Sequence, residues 1–258
     1  MYIIFMSLLA GVIGMGLGGL ITSLFGSRTD KMVGIFLSFA GGVMISIVFL
    51  ELIPEALEYS NIVVAVIGLI LGAVLVWVLN KVMDSVSGLN KTGLHENYAE
   101  YFHSSDVITR KKSMLRSGII MLIAIGLHNI PEGLALGAAG HHDLSLGITL
   151  AIIIGLHNIP EGMAVSAPLI AGGFSKIKSV LLTLLIGTTT VIGAIAGVLI
   201  GGISDIAVAI SFSVAGGAML YVVLGEIIPQ TIVTSKDRVP TIFLLVGIII
   251  GMLFIAIF

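Results

Sequence analysis

Eight apolar stretches, each long enough to cross a bilayer, constrain this chain more than any other feature. They lie at residues 2–25, 32–57, 61–82, 115–139, 144–169, 179–202, 206–233 and 239–258. A transmembrane helix needs roughly 20 predominantly apolar residues. In lipid each backbone polar group must find its partner within the chain, so stretches of this length form helices. The fold predicted is an all-α integral membrane protein of eight transmembrane helices. Composition agrees, with 57% hydrophobic and 10% charged residues, against about 25% charged in soluble domains. The 33 glycines suit close helix packing in lipid. With no cysteine, disulfides and thiolate metal ligands are excluded. A net charge of −2 gives no reason to expect a nucleic-acid partner. The first stretch carries no charge through Ser27 and lacks the basic start of a signal peptide, so it is read as a retained span.

The positive charges orient the spans. All 12 Lys and Arg fall at alternate breaks: Arg28 and Lys31, then Lys81 to Arg116, then Lys176 and Lys178, then Lys236 and Arg238. None falls at the breaks after the second, fourth and sixth spans. Cytoplasmic loops carry the Lys/Arg excess. Both termini are therefore expected outside a cell membrane, plasma or inner, with the long break at 83–114 in the cytoplasm. That break holds His95 and His103, and part of it is expected to be flexible.

Two internal repeats subdivide the chain. The phrase Ile125-Gly126-Leu127-His128-Asn129-Ile130-Pro131-Glu132-Gly133 recurs unchanged at Ile154 to Gly162, in the next span. A weaker repeat relates Ala40-Gly41-Gly42-Val43-Met44 and Glu51-Leu52-Ile53-Pro54 to Ala215-Gly216-Gly217-Ala218-Met219 and Glu226-Ile227-Ile228-Pro229, at a constant offset of 175 residues. Its copies fall in spans two and seven, which run in opposite directions. Inverted repeats of this kind characterise secondary transporters, with the site near the midplane. We expect one transmembrane domain, 1–258, in a 3+2+3 arrangement. Spans one to three mirror spans six to eight, and spans four and five form an antiparallel pair between them.

The duplicated phrase carries the chemistry. A histidine and a glutamate four residues apart share one helix face. Placing a charged side chain at mid-membrane costs at least about 2.5–3.5 kcal/mol, so four such groups need a common compensation. Antiparallel copies can bring His128, Glu132, His157 and Glu161 together, with Asn129 and Asn158 beside them. This nitrogen and oxygen set suits Zn²⁺ and also Fe²⁺, Mn²⁺ or other first-row ions. Without thiolates, such an ion can leave again. Proline inside a helix removes a hydrogen bond and crowds the preceding turn. Pro131 and Pro160 are thus expected to interrupt their helices and free the carbonyls of Leu127 and Leu156. Packing alone would account for one histidine in a span, but explains two identical His-x-x-x-Glu copies poorly.

Other polar residues are weaker candidates. Glu51 and Glu226 are deep in their spans and match under the repeat, which points to a pathway role. Glu55 sits near the outer end of the second span. His141, His142 and Asp143 form an outer turn, and His95 and His103 read as ordinary loop residues.

These motifs resemble the ZIP (Zrt-/Irt-like) family of divalent metal transporters, and more closely its bacterial broad-range members. The resemblance covers nearly the whole chain: the paired His-Asn-x-Pro-Glu-Gly phrases on the fourth and fifth of eight spans, the outside termini, the histidine-bearing inner loop and Glu-x-x-Pro in spans two and seven. It implies uptake of zinc, with iron, manganese, cadmium or others, toward the cytoplasm. The metal is then transported substrate, with no prosthetic group and no enzymatic activity. It further implies a homodimer in the lipid bilayer. A primary metal position would use His128, Glu132, His157 and Glu161. A second would use Asn129 and Asn158, share the two glutamates, and draw a further glutamate from span six. There the chain departs from the family, with Thr190 at the expected carboxylate, so one strong metal position is expected.

Three other classes are compatible with a membrane-embedded His/Glu site to different degrees. A channel with the same site is not separated from a carrier by sequence, although the inverted repeat favours alternating access. An intramembrane zinc hydrolase typically carries His-Glu-x-x-His, and the chain holds no such string. A metal-responsive receptor is disfavoured because the chain ends in its eighth span.

Overall fold

The computed structural model describes residues 2–26, 30–87, 107–200, 205–234 and 238–257, and these are helical apart from short turns. Among the described residues, eight helices are long and apolar enough to cross a membrane: α1 (Tyr2–Phe25), α2 (Lys31–Tyr59), α3 (Ile62–Val82), α4 (Met114–His141), α5 (Leu144–Ala171), α6 (Lys176–Leu199), α7 (Asp205–Ile232) and α8 (Val239–Ile257). Each coincides with a stretch expected from the sequence. The helix leading into α4 starts at Val107, and α3 continues to Ser87, so the long break has helical ends. His95, His103, Lys91, Arg28, Lys236 and the expected flexible segment lie outside the described residues.

The helices form an inner and an outer set. Over their most apolar windows α2, α4, α5 and α7 are 72%, 61%, 67% and 61% buried, whereas α3, α6 and α8 are 22%, 33% and 17% buried. The outer helices turn Ile67, Ile70, Leu181, Leu185, Ile249 and Leu253 outward, a surface suited to lipid and not to water. The duplicated phrases thus lie on two of the four helices most removed from lipid.

Packing depends on close backbone approach, because lipid tails give apolar side chains no reason to leave them. Contacts across the outer helices are exchanged at the offset of the weaker repeat. Gly42 of α2 packs against the backbone of Leu244 on α8, and Gly217 of α7 packs against the backbone of Leu69 on α3. The two members of each matched pair, Gly42 and Gly217 or Leu69 and Leu244, stand 175 residues apart.

The same offset relates two π-helical turns, Val48–Leu52 in α2 and Val223–Ile227 in α7. Each lies just ahead of a proline, Pro54 or Pro229. A proline ring collides with the carbonyl four residues earlier, here that of Leu50 or Gly225, and the widened turn makes room for it. A third π turn, Leu9–Ile13, interrupts α1.

The expectation for Pro131 and Pro160 is corrected. The helices remain α-helical through both prolines, from Val107 to His142 and from Leu144 to Ala171. The backbone irregularity falls instead in α1, α2 and α7, around the phrases and not within them.

The α4–α5 hairpin is set by local chemistry. Asp143 occupies the N-cap of α5 and accepts a hydrogen bond from the Ser145 N–H at 2.8 Å, the role favoured for a short carboxylate there. At the far end of α5 the Phe174 N–H donates to the Leu169 carbonyl at 3.0 Å and the Gly173 N–H to the Ile170 carbonyl at 3.1 Å. Gly173 has φ 103°, the left-handed conformation that ends a helix this way and that glycine adopts without strain.

Candidate metal centre

The site is built where α4 meets α5. His128, Asn129, Glu132, His157, Asn158 and Glu161 are all buried, none more than 1% exposed. The helix period accounts for part of this. On α4, Gly126, Ile130, Gly133 and Gly137 pack against α6, and on α5 Gly155, Ile159 and Gly162 pack against α1. Gly133 meets the backbone of Thr190, and Gly162 meets the backbone of Met15. His128 and Glu132 are left to face the other copy.

The two copies pair crosswise. His128 Nε2 donates to Glu161 Oε1 at 3.1 Å, in the tautomer carrying the proton on Nε2. His157 Nε2 lies 3.3 Å from Glu132 Oε1, although these two atoms are not aligned for a hydrogen bond. Each carboxylate therefore faces the imidazole of the opposite helix. These His–Glu contacts compensate the buried charges as the sequence required.

Ligand-type atoms of His128, Glu132 and Glu161 all lie within 4.8 Å of one another, close enough for one small cation to bridge them. His157 joins this group through Glu132. Several polar atoms here are buried without a hydrogen-bond partner: both oxygens of Glu132, Glu161 Oε2, and Nδ1 of both histidines. Buried polar atoms left unmet cost free energy, about 1–3 kcal/mol each. A divalent cation held among them would meet the oxygens directly.

The two asparagines differ. Asn158 donates from Nδ2 to the Ala10 carbonyl at 3.1 Å, a carbonyl that lies in the π turn of α1. Asn129 is buried with neither amide atom partnered. Thr190 of α6 is fully buried, its hydroxyl without a partner, and it abuts Gly11 of α1.

Glu51 and Glu226 are buried in the two matched π turns. Glu51 is buried, with Oε2 unpartnered, and lies within electrostatic reach of His157, Glu132 and Glu55. Glu226 accepts from Asn80 Nδ2 at 3.1 Å and lies within electrostatic reach of Arg116. Next to it the Ser117 hydroxyl donates to Gln230 Oε1 at 3.0 Å, and Gln230 Nε2 reaches Met114 Sδ at 3.2 Å. The sequence reading did not single out Asn80, Ser117 or Gln230. Asn80 could have been found as the one amide in the apolar run of α3. His141 is exposed on the turn, and the side chain of His142 is not described.

Known proteins are similar to this chain in sequence over nearly its whole length. The family model described as ZIP Zinc transporter matches residues 1–258. The chain is 32% identical over 262 residues to the zinc transporter ZupT of Chlorobium chlorochromatii, covering 98% of this chain and 94% of that one. It is 33% identical over 257 residues to the ZupT of Akkermansia muciniphila, covering 94% and 91%. With the ZupT of Streptococcus mutans the identity is 31% over 252 residues, covering 94% and 90%. Eight membrane-spanning helices, a buried His/Glu centre on the fourth and fifth, and a match from first residue to last make this a multi-pass membrane protein that belongs to the ZIP family.

Proposed function

We propose that this chain carries divalent transition-metal ions, zinc foremost, across a cell membrane toward the cytoplasm. The convergence of His128, Glu132 and Glu161, with His157 paired to Glu132, is the observation that carries this reading. The family and the naming of its relatives as zinc transporters support metal transport in general, and none of these names describes an enzyme. Zinc, iron, manganese and cadmium are all compatible with the donor set.

The residues do the following work in this proposal. Without a cation, the His–Glu contacts keep four polar groups tolerable in the bilayer. An arriving ion replaces the His128 proton at Glu161 and draws on the free oxygens of Glu132 and Glu161. Binding needs neutral imidazoles and ionised carboxylates, so it competes with protons. Glu51 offers a carboxylate on one side of the centre. Glu226, with Asn80 and Gln230, offers polar groups on the other. With both termini outside, the Glu51 side opens outward and the Glu226 side faces the cytoplasm.

The exchanged contacts at Gly42 and Gly217, and the matched π turns, support an inverted repeat and so a carrier with alternating access. A channel using the same groups is the second reading, and trans-stimulated exchange of labelled metal in liposomes separates the two. With Thr190 in place of a carboxylate, we assign one strong metal position, with Asn129 and Asn158 beside it. The whole chain, 1–258, acts as one transporter domain, and its assembly is a homodimer.

The test is metal uptake into proteoliposomes across a panel of divalent ions, for the wild type, His128→Ala and Glu161→Ala. Both variants should lose most zinc uptake. Wild-type rates in both would show that the site is elsewhere.

A further inference from the structure

A cavity of about 260 Å³ lies between α2, α7 and α8, away from the metal centre. Its walls include Ser38 of α2, Thr231 and Ile232 of α7, and Pro240, Thr241 and Leu244 of α8. The Gly42–Leu244 approach lies one helix turn above Ser38 and closes that end. The cavity's surroundings are apolar and outward-facing: Ile232, Ile242 and Leu245 are each more than half exposed. Whatever fills it arrives from the bilayer.

Two side chains make this more than an apolar groove. Ser38 and Thr231 are 1% and 8% exposed, and neither hydroxyl has a hydrogen-bond partner. Serine and threonine inside helices ordinarily return their hydroxyl to a carbonyl three or four residues earlier. Ser46, Thr22, Ser213 and Thr234 all do so in this protein. Ser38 and Thr231 do not, and neither do Ser179 and Thr190 elsewhere, but Ser38 and Thr231 both line one cavity. A buried hydroxyl without a partner is unfavourable, so a bound acceptor there is stabilising.

The feature is not a by-product of the repeat. The residue matched to Ser38 is Ser213, which donates to the Ala209 carbonyl at 2.7 Å, and the residue matched to Thr231 is Ala56. The cavity therefore belongs to one end of the bundle. That end carries the Lys/Arg-bearing breaks. Lys31 precedes Ser38 by two helix turns, about 10 Å along the axis, and Arg238 is exposed two residues before Pro240.

We infer that this cavity is a binding site for an anionic glycerophospholipid. Its glycerol ester carbonyls accept from the Ser38 and Thr231 hydroxyls, one acyl chain lies along Ile232 and Leu244, and the headgroup phosphate meets Arg238. An amphiphile is required because the mouth opens on hydrocarbon, acceptors are required by the two hydroxyls, and negative charge is favoured by the basic end.

The test is native mass spectrometry of the detergent-purified full chain, titrated with phosphatidylglycerol or with phosphatidylcholine of the same acyl chains. The wild type should retain one phosphatidylglycerol in preference to phosphatidylcholine. Combined Ser38→Ala and Thr231→Val should weaken retention of both lipids about tenfold, the loss of two ordinary hydrogen bonds. Arg238→Gln should weaken retention of phosphatidylglycerol more than that of phosphatidylcholine, and so narrow the preference between headgroups. Leu244→Phe, which narrows the cavity with the hydroxyls intact, should weaken retention of both lipids. Zinc binding by each variant serves as the control for folding. A wild type that retains no lipid, or hydroxyl variants that retain it as tightly as wild type, would overturn the inference. Equal retention of the two lipids by the wild type would overturn its anionic part.

Discussion

His128 of α4 and Glu161 of α5 are hydrogen-bonded across the helix interface at 3.1 Å, although 33 residues separate them in sequence. Removing either partner leaves the other buried and unmet, so the two substitutions do not act independently. His128→Ala and Glu161→Gln should each weaken zinc binding strongly. The double variant should lose less than the two single losses combined, by about 0.5–3 kcal/mol. Isothermal titration of the four proteins in detergent measures this, and strict additivity would mean that the pair is not coupled.

The second prediction concerns α6. Thr190 is buried beside Gly11 and Gly133 with an unpartnered hydroxyl, in the region where a second metal position would need a carboxylate. Thr190→Glu should raise bound zinc from one to two ions per chain by metal analysis after equilibrium dialysis. Overpacking against Gly11 should cost about 1–3 kcal/mol of stability, so melting is to be followed with zinc present. A stoichiometry that stays at one would show that the missing carboxylate does not decide the number of sites.

The eight spans were legible because length and hydropathy in lipid leave few alternatives. The convergence of buried His and Glu residues was legible because their spacing is duplicated. The crosswise pairing was not, since His128 could as well have stayed with Glu132 on its own helix, and only the helix rotations decide between them. Those rotations follow from the glycines: Gly133 against Thr190 and Gly162 against Met15 turn the histidines and glutamates toward each other. The π turns were also not legible. Proline predicts trouble in the preceding turn, but Pro54 and Pro229 produce a widened turn while Pro131 and Pro160 do not. Asn80 escaped notice because its importance depends on Glu226, which is 146 residues away.

Stability should respond to the same glycines. A Cβ at Gly162 would meet the Met15 carbonyl, backbone that cannot move aside easily. Gly162→Val should lower the detergent melting temperature by the equivalent of at least about 1–3 kcal/mol. Gly155→Ala, where the nearest atoms are at ordinary contact distance, should have little effect. Circular dichroism melts compare them, and equal losses would show that backbone approach is not what holds α5 to α1.

Acid should weaken metal binding. The cation and protons compete for Glu132, Glu161, His128 and His157, with Glu51 in electrostatic reach of His157 and Glu132. The sign is fixed: protonation removes a ligand, so affinity falls as pH falls. Each proton displaced on binding contributes up to about tenfold per pH unit. Zinc titrations across the range where histidine ionises, between about pH 5.5 and 7.5, measure the number displaced. Affinity independent of pH over that interval would mean that the empty site already holds its ligands deprotonated.

The orientation is tested by the absence of cysteine, which makes single introduced thiols readable. Ser145, at the start of α5, and Lys178, at the start of α6, are exposed at opposite ends of one helix hairpin. Basic residues gather at the Lys178 end and not at the Ser145 end, so the proposed orientation predicts a cytoplasmic Lys178. In intact cells a membrane-impermeant maleimide should label Ser145→Cys directly and Lys178→Cys only after permeabilisation. The reverse pattern would invert the protein. Glu226 would then stand on the entry side and Glu51 on the exit side, and the direction proposed for the ion would have to be reversed with them.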